Sequence, residues 1–152
     1  MIPGNRASET GTEKPRILFL CTHNAARSQM AEALLRRHDG HRFEAASAGL
    51  EPTEVHPLTR RVLQEIDIDV SGLRAKGINE SLGKVPVRYA IIVCERANRS
   101  CPNVYPFATH GLYWPFEDPA EAEGSPEERL AVFRRVRDEI ADRIRRFVLE
   151  GV

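Results

Sequence analysis

Hydrophobic positions along this chain fall into short continuous runs and longer stripes at helical spacing. Arg16-Ile17-Leu18-Phe19-Leu20 is nearly continuous and apolar, as expected of a strand buried on both faces. The stretch from Arg27 to about His38 follows, in which Met30, Ala31, Leu34 and Leu35 give one apolar helical face. A second strand is predicted near Phe43 to Ala46, after which Ser47-Ala48-Gly49 is read as a turn. His56-Pro57 starts a helix with proline in its first turn, and Leu58, Val62, Leu63 and Ile66 form its buried stripe. Tyr89-Ala90-Ile91-Ile92-Val93 is the most apolar strand and runs into Cys94, and a fourth strand is predicted from Gly111 to Trp114. It leads into the turn-rich Pro115-Phe116-Glu117-Asp118-Pro119. Ser125-Pro126-Glu127-Glu128 combines an N-cap serine, a first-turn proline and a capping-box glutamate. The helix it opens should reach about Leu149 and bury Leu130, Phe133, Val136, Ile140, Ile144 and Phe147.

Strands alternating with helices predict an α/β fold: one domain with a four-stranded open parallel sheet flanked by helices on both faces. Such sheets bind ligands beyond the carboxyl ends of their strands. Cys21, Cys94 and Asp118 each lie just past a predicted strand, so they should gather at one rim. The 152 residues suit a single domain. Residues 1–14, polar with Pro3, Gly4 and Gly11, are expected to be a disordered tail before a domain at 15–152.

Charge and cysteine content then narrow the function. Lys plus Arg and Asp plus Glu balance at 22 each, interspersed along the chain, so the basic excess of a nucleic-acid binder is lacking. No apolar run is long enough for a membrane span, and the amino end lacks the apolar centre of a signal peptide. Three cysteines without an export signal point to free thiols in a reducing compartment, hence a cytoplasmic protein, expected to be a monomer.

The segment Cys21-Thr22-His23-Asn24-Ala25-Ala26-Arg27-Ser28 carries the chemistry. Between a strand and a helix, its consecutive backbone N–H groups can curl around an anion while the helix dipole adds positive potential. Thr22, His23, Asn24, Ala25 and Ala26 would supply that cradle, and Arg27 can grip a tetrahedral oxyanion with two parallel hydrogen bonds. The same field favours a thiolate at Cys21, and Ser28 can donate a hydrogen bond to it. A cysteine six positions before an arginine also arises by chance, as a buried cysteine and a surface arginine. The flanking strand and helix and the following serine favour a site for phosphate or its analogues.

The run from Leu20 to Glu32 resembles the active-site segment of thioredoxin-coupled arsenate reductases, which share the low-molecular-weight tyrosine phosphatase fold. The likeness extends through Ser47-Ala48-Gly49, the Cys94–Cys101 segment and Asp118-Pro119, covering roughly Arg16 to Leu149. It implies that Asp118 is the general acid and that three thiols form a relay. Cys21 attacks arsenate, Cys94 then attacks Cys21 and releases arsenite, and Cys101 moves the disulfide outward to thioredoxin. No cofactor is implied. The alternative from the same resemblance is a phosphatase hydrolysing phosphomonoesters through a phosphocysteine. Such enzymes commonly have a second cysteine where Ala26 stands and aromatic residues where Ala120-Glu121-Ala122 follows Asp118-Pro119. An enzymatically silent anion-binding module would have lost Cys21, Arg27 or Asp118. Some relatives bind potassium through the residues matching Asn24, Glu32 and Ser47 plus two further oxygens. Arg74 and Lys76 stand at those last two places, so no metal is expected, and a fixed positive charge near Glu32 is. Finally, Glu95 to Ser100 is expected to form a short helix in the reduced protein. Seven residues of helix span about 10 Å, too far for a disulfide, so this helix must melt before Cys94 and Cys101 can join.

Overall fold

The computed structural model describes residues 14–80, 86–95 and 108–150. Four strands, β1 (Arg16–Cys21), β2 (Glu44–Gly49), β3 (Val87–Ile92) and β4 (Ala108–Tyr113), form one parallel sheet in the order β2-β1-β3-β4. Among the described residues three α-helices accompany it: α1 (Arg27–Asp39), α2 (Pro57–Gln64) and α3 (Pro126–Glu150). The chain leaves β1 toward β2 on one side, while β3 lies on the other. The strand order therefore reverses beside β1, and a crevice opens at the carboxyl ends of β1 and β3.

The period of two along β1 divides the core. Ile17, Phe19 and Cys21 face a cluster built with Met30 and Leu34 of α1, Val62 and Leu63 of α2, and Phe133, Ile140 and Ile144 of α3. Leu18 and Leu20 face the opposite way, with Ala48, Ala90, Val87 and Ile78, the last from a short 3-10 turn at Ile78–Glu80. Among the described residues all three α-helices thus pack on the first face. The helix expected over Glu95 to Ser100, Cys101 itself and the expected tail lie outside the described residues, apart from Glu95 and Lys14.

Helix α3 begins as its sequence requires. Ser125 N donates to Glu128 Oε1 at 2.8 Å and Glu128 N donates to Ser125 Oγ at 3.1 Å, closing a reciprocal capping box. Its far end seals the sheet with aromatic contacts, Phe147 meeting Tyr89 at 5.0 Å and Trp114 at 5.5 Å.

Two sequence expectations are corrected. Ser47-Ala48-Gly49 is the second half of β2, not a turn, pairing in register with Phe19, Leu20 and Cys21. Strand β4 begins at Ala108 and ends at Tyr113, earlier than the Gly111–Trp114 expected.

Candidate active site

Helix α1 starts at a residue with no capping side chain, Ala26. Its first-turn N–H groups are therefore left to whatever sits before them. The loop leading there, Cys21 to Ala26, has its carbonyls turned outward and bonded one after another. Cys21 O accepts from Leu50 N (3.1 Å), Thr22 O from Glu51 N (2.7 Å) and His23 O from Thr53 N (3.2 Å). Asn24 O accepts from Gln29 Nε2 at 3.2 Å. Ala25 O accepts from both His56 N (3.0 Å) and Thr59 Oγ1 (2.9 Å), and Ala26 O from Met30 N (2.9 Å). No described peptide is cis, so each following N–H points the opposite way, into the loop. The result is a ring of donors shaped for an oxyanion.

At the centre lies Cys21, only 3% exposed. Its sulfur is 2.8 Å from Ser28 Oγ and accepts from Asn24 N at 3.2 Å. Asn24 occupies the left-handed region at φ 54°, and its side chain uses its full hydrogen-bonding capacity. Nδ2 donates to Ser28 Oγ (2.7 Å) and Ser47 Oγ (3.0 Å). Oδ1 accepts from Gln29 Nε2 (2.8 Å) and Lys76 N (2.8 Å). The amide can only donate to Ser28 Oγ, which leaves the serine proton available to the Cys21 sulfur. Burial pushes the Cys21 thiol above its usual range, Ser28 pulls it down, the neighbouring Cys94 raises it and Arg27 lowers it. The attractive field expected from the sequence is thus opposed by desolvation, which is the largest influence on this thiol.

Arg27 Nη2 pairs with Asp118 Oδ2 at 3.3 Å and Nη1 donates to Phe116 O at 3.1 Å. Asp118 Oδ1 accepts from Ala120 N at 3.0 Å, which fixes the carboxylate at the start of the short turn Pro119–Glu121. Cys94 is buried, its sulfur 3.4 Å from Thr22 Oγ1. Thr22, His23, Arg27, Cys94 and Asp118 line one cleft of about 610 Å³, together with Tyr113, Phe116 and three glutamates. The structure thus gathers Cys21, Thr22, Asn24, Ala25, Ala26, Arg27, Ser28, Cys94 and Asp118 at one rim. His23 is exposed at the mouth. Tyr113 and Phe116 supply aromatic walls from before Asp118-Pro119, although the residues after that pair are not aromatic.

Behind the loop Glu32 is 7% exposed. It accepts from Ser47 Oγ (2.5 Å), Arg36 Nη2 (2.5 Å) and Lys76 Nζ (3.3 Å). Lys76 Nζ also reaches Ser47 Oγ (3.3 Å) and Arg74 O (3.1 Å), while the Arg74 guanidinium turns to Glu80. Burial alone would raise the Glu32 carboxyl, but Lys76, Ser47 and Arg36 together bring it below the usual carboxylate range. Of the two expected cationic side chains, only that of Lys76 contacts Glu32. Gln29, His56 and Thr59 were not singled out as site residues from the sequence. Their contribution is to the back of the loop, where no catalytic motif marks it.

The description "Low molecular weight phosphotyrosine protein phosphatase" matches residues 16–151, and the chain belongs to that family. Within it, the chain is 41% identical to an arsenate reductase of Halalkalibacterium halodurans over 91% of its own length and 98% of that protein. A solved arsenate reductase in a phosphate-binding state superposes with a TM-score of 0.74 at 28% identity, over 90% of this chain and 98% of that one. A thioredoxin-dependent arsenate reductase of Corynebacterium glutamicum gives 0.68 at 30% identity, over 93% of this chain and 63% of that one.

Proposed function

We propose that the protein reduces arsenate to arsenite with Cys21 as nucleophile, and the observation that carries this is a second buried thiol, Cys94, in the same cleft. Phosphoester hydrolysis needs one cysteine, whereas reduction needs a thiol that can take Cys21 into a disulfide. The loop N–H groups and Arg27 hold the oxyanion. Cys21 attacks arsenic, and an As–O bond breaks with Asp118 protonating the departing oxygen. The Cys94 thiolate then attacks the Cys21 sulfur. The S–As electron pair stays on arsenic, which leaves as arsenite, and a Cys21–Cys94 disulfide forms. Cys101 attacks Cys94, freeing Cys21 as thiolate, and a dithiol protein of the thioredoxin type reduces the Cys94–Cys101 disulfide.

Reduced working thiols suit a cytoplasmic location, and no helix among the described residues is long and apolar enough to cross a membrane. The oligomeric state proposed is a monomer. Tyr113 and Phe116 in the cleft favour a secondary activity on aryl phosphates. Cys94→Ser separates the two chemistries. It should abolish arsenate turnover coupled to thioredoxin, thioredoxin reductase and NADPH, while hydrolysis of p-nitrophenyl phosphate persists. Arsenate turnover that survives this substitution would refute the relay.

A further inference from the structure

We propose that Thr59 is a positioning residue for the oxyanion cradle, holding the Ala25–Ala26 peptide so that the Ala26 N–H faces the bound anion. The proposal rests on reading the loop as an oxyanion site and adds a residue outside the loop to its machinery. Thr59 is wholly buried on the first turn of α2. It interrupts an otherwise apolar stripe of Leu58, Val62 and Leu63. A hydroxyl buried there without a partner would be costly, and its partner is Ala25 O at 2.9 Å. The same carbonyl accepts the His56 amide at 3.0 Å, so both of its lone pairs are taken by one turn of one helix.

The geometry explains why this peptide needs two ties. If the Ala25–Ala26 peptide rotated, it would present a carbonyl oxygen to the anion in place of an N–H, replacing an attraction with a repulsion. The peptides after Cys21, Thr22 and His23 are held by backbone donors of residues 50–53, which side-chain exchange leaves in place. Ala25 lies just before the uncapped start of α1, and Thr59 supplies the donor that a substitution can remove. Helix α2 is a firm mount. Glu65 just beyond it pairs with Arg134 at 2.6 Å, and Arg137 of α3 donates to Val62 O at 2.9 Å.

Phosphate affinity of the reduced full chain, measured by calorimetry for wild type, Thr59→Val and Thr59→Ser, tests this. Valine keeps the shape and removes the hydroxyl, so inorganic phosphate should bind about threefold to tenfold more weakly, the worth of one hydrogen bond. Serine keeps the hydroxyl and should bind as wild type does, even if loss of the methyl lowers its melting temperature. Alkylation of Cys21 by neutral iodoacetamide in phosphate-free buffer should be unchanged in Thr59→Val, because Asn24 N and Ser28 Oγ hold the sulfur. Wild-type affinity in Thr59→Val, weak binding in Thr59→Ser, or slowed alkylation in step with lost affinity would each overturn the proposal. Failure of the wild type to bind phosphate would instead remove the cradle reading on which it stands.

Discussion

The hydrogen bonds around Asn24 form a directed chain. Lys76 and Arg36 hold Glu32 ionised, Glu32 accepts the hydrogen bond that Ser47 Oγ donates, and Ser47 accepts from the Asn24 amide. Asn24 donates in turn to Ser28, whose proton is left for Cys21. The line of donors and acceptors runs from the charged groups at Glu32 to the sulfur, so its members polarise one another. Lys76 anchors the far end, and its ammonium is only partly exposed beside a nearly buried carboxylate. Lys76→Met should therefore leave Glu32 short of one charge partner. We expect destabilisation of about 3 kcal/mol, at the lower end for a broken buried pair because Arg36 remains. The urea midpoint of the variant measures this. In the wild type the melting temperature should not change when sodium replaces potassium at constant ionic strength. A potassium-specific rise would mean that the ammonium does not fill a cation's role there.

At the scale of elements, the close approach of β2 to the Cys21–Ala26 loop sets the tolerance of the site. A Cβ at Gly49 would lie 2.8 Å from Thr22 O and 2.9 Å from Asn24 N, both backbone atoms that cannot swing aside. Gly49→Ala should push the loop out of register, costing about 1–3 kcal/mol of stability and most of the phosphate affinity, read by calorimetry on the folded variant. Equal affinity would show that the loop has slack. This crowding also explains what the sequence disclosed. β1 and β3 were legible because continuous apolar runs mark strands covered on both faces, and α3 because its capping box and stripe agree. Ser47-Ala48-Gly49 read as a turn because small residues usually punctuate, whereas here they let β2 pass close behind the loop. β4 was half hidden because its Thr109, His110 and Gly111 are exposed and carry no apolar signal. Cys21, Arg27, Ser28 and Asp118 were legible as chemistry on one rim. The ties from Leu50, Glu51, Thr53, His56 and Thr59 were not, since most come from backbone N–H groups, which no residue type announces.

For the molecule as a whole, the balance of charge makes a few shifted groups visible in its pH response. With 22 basic and 22 acidic side chains the net charge near neutrality is close to zero, so global repulsion contributes little there. Among the groups depressed in the fold are His56, Glu32 and Glu65. Burial and Arg129 lower His56 while Asp118 opposes them, and its ring packs on Phe133 at 4.8 Å. Glu32 lies below its ordinary range despite burial, as described, and Glu65 is lowered chiefly by its hydrogen bonds to Arg134. For each, the unfolded chain binds more protons than the folded one between the two pKa values, so stability falls on acidification. The His56 part should be lost as pH drops below about 6.5, and the carboxylate part below about 4.5. Cys21 acts in the opposite sense. Its thiol is raised in the fold, so the unfolded chain loses that proton first and stability should decline as pH rises beyond about 8.5. The reduced protein should therefore show a stability plateau between those limits, measurable as urea midpoints across a pH series. His56→Asn keeps an oxygen for the helix N-cap, where His56 Nδ1 accepts from Leu58 N at 3.0 Å, but removes the titration. It should flatten the shoulder below neutrality and leave the acid limb in place. Cys21→Ser should flatten the alkaline shoulder alone. An unchanged slope on the mildly acid side in His56→Asn would show that His56 titrates alike in the folded and unfolded chain.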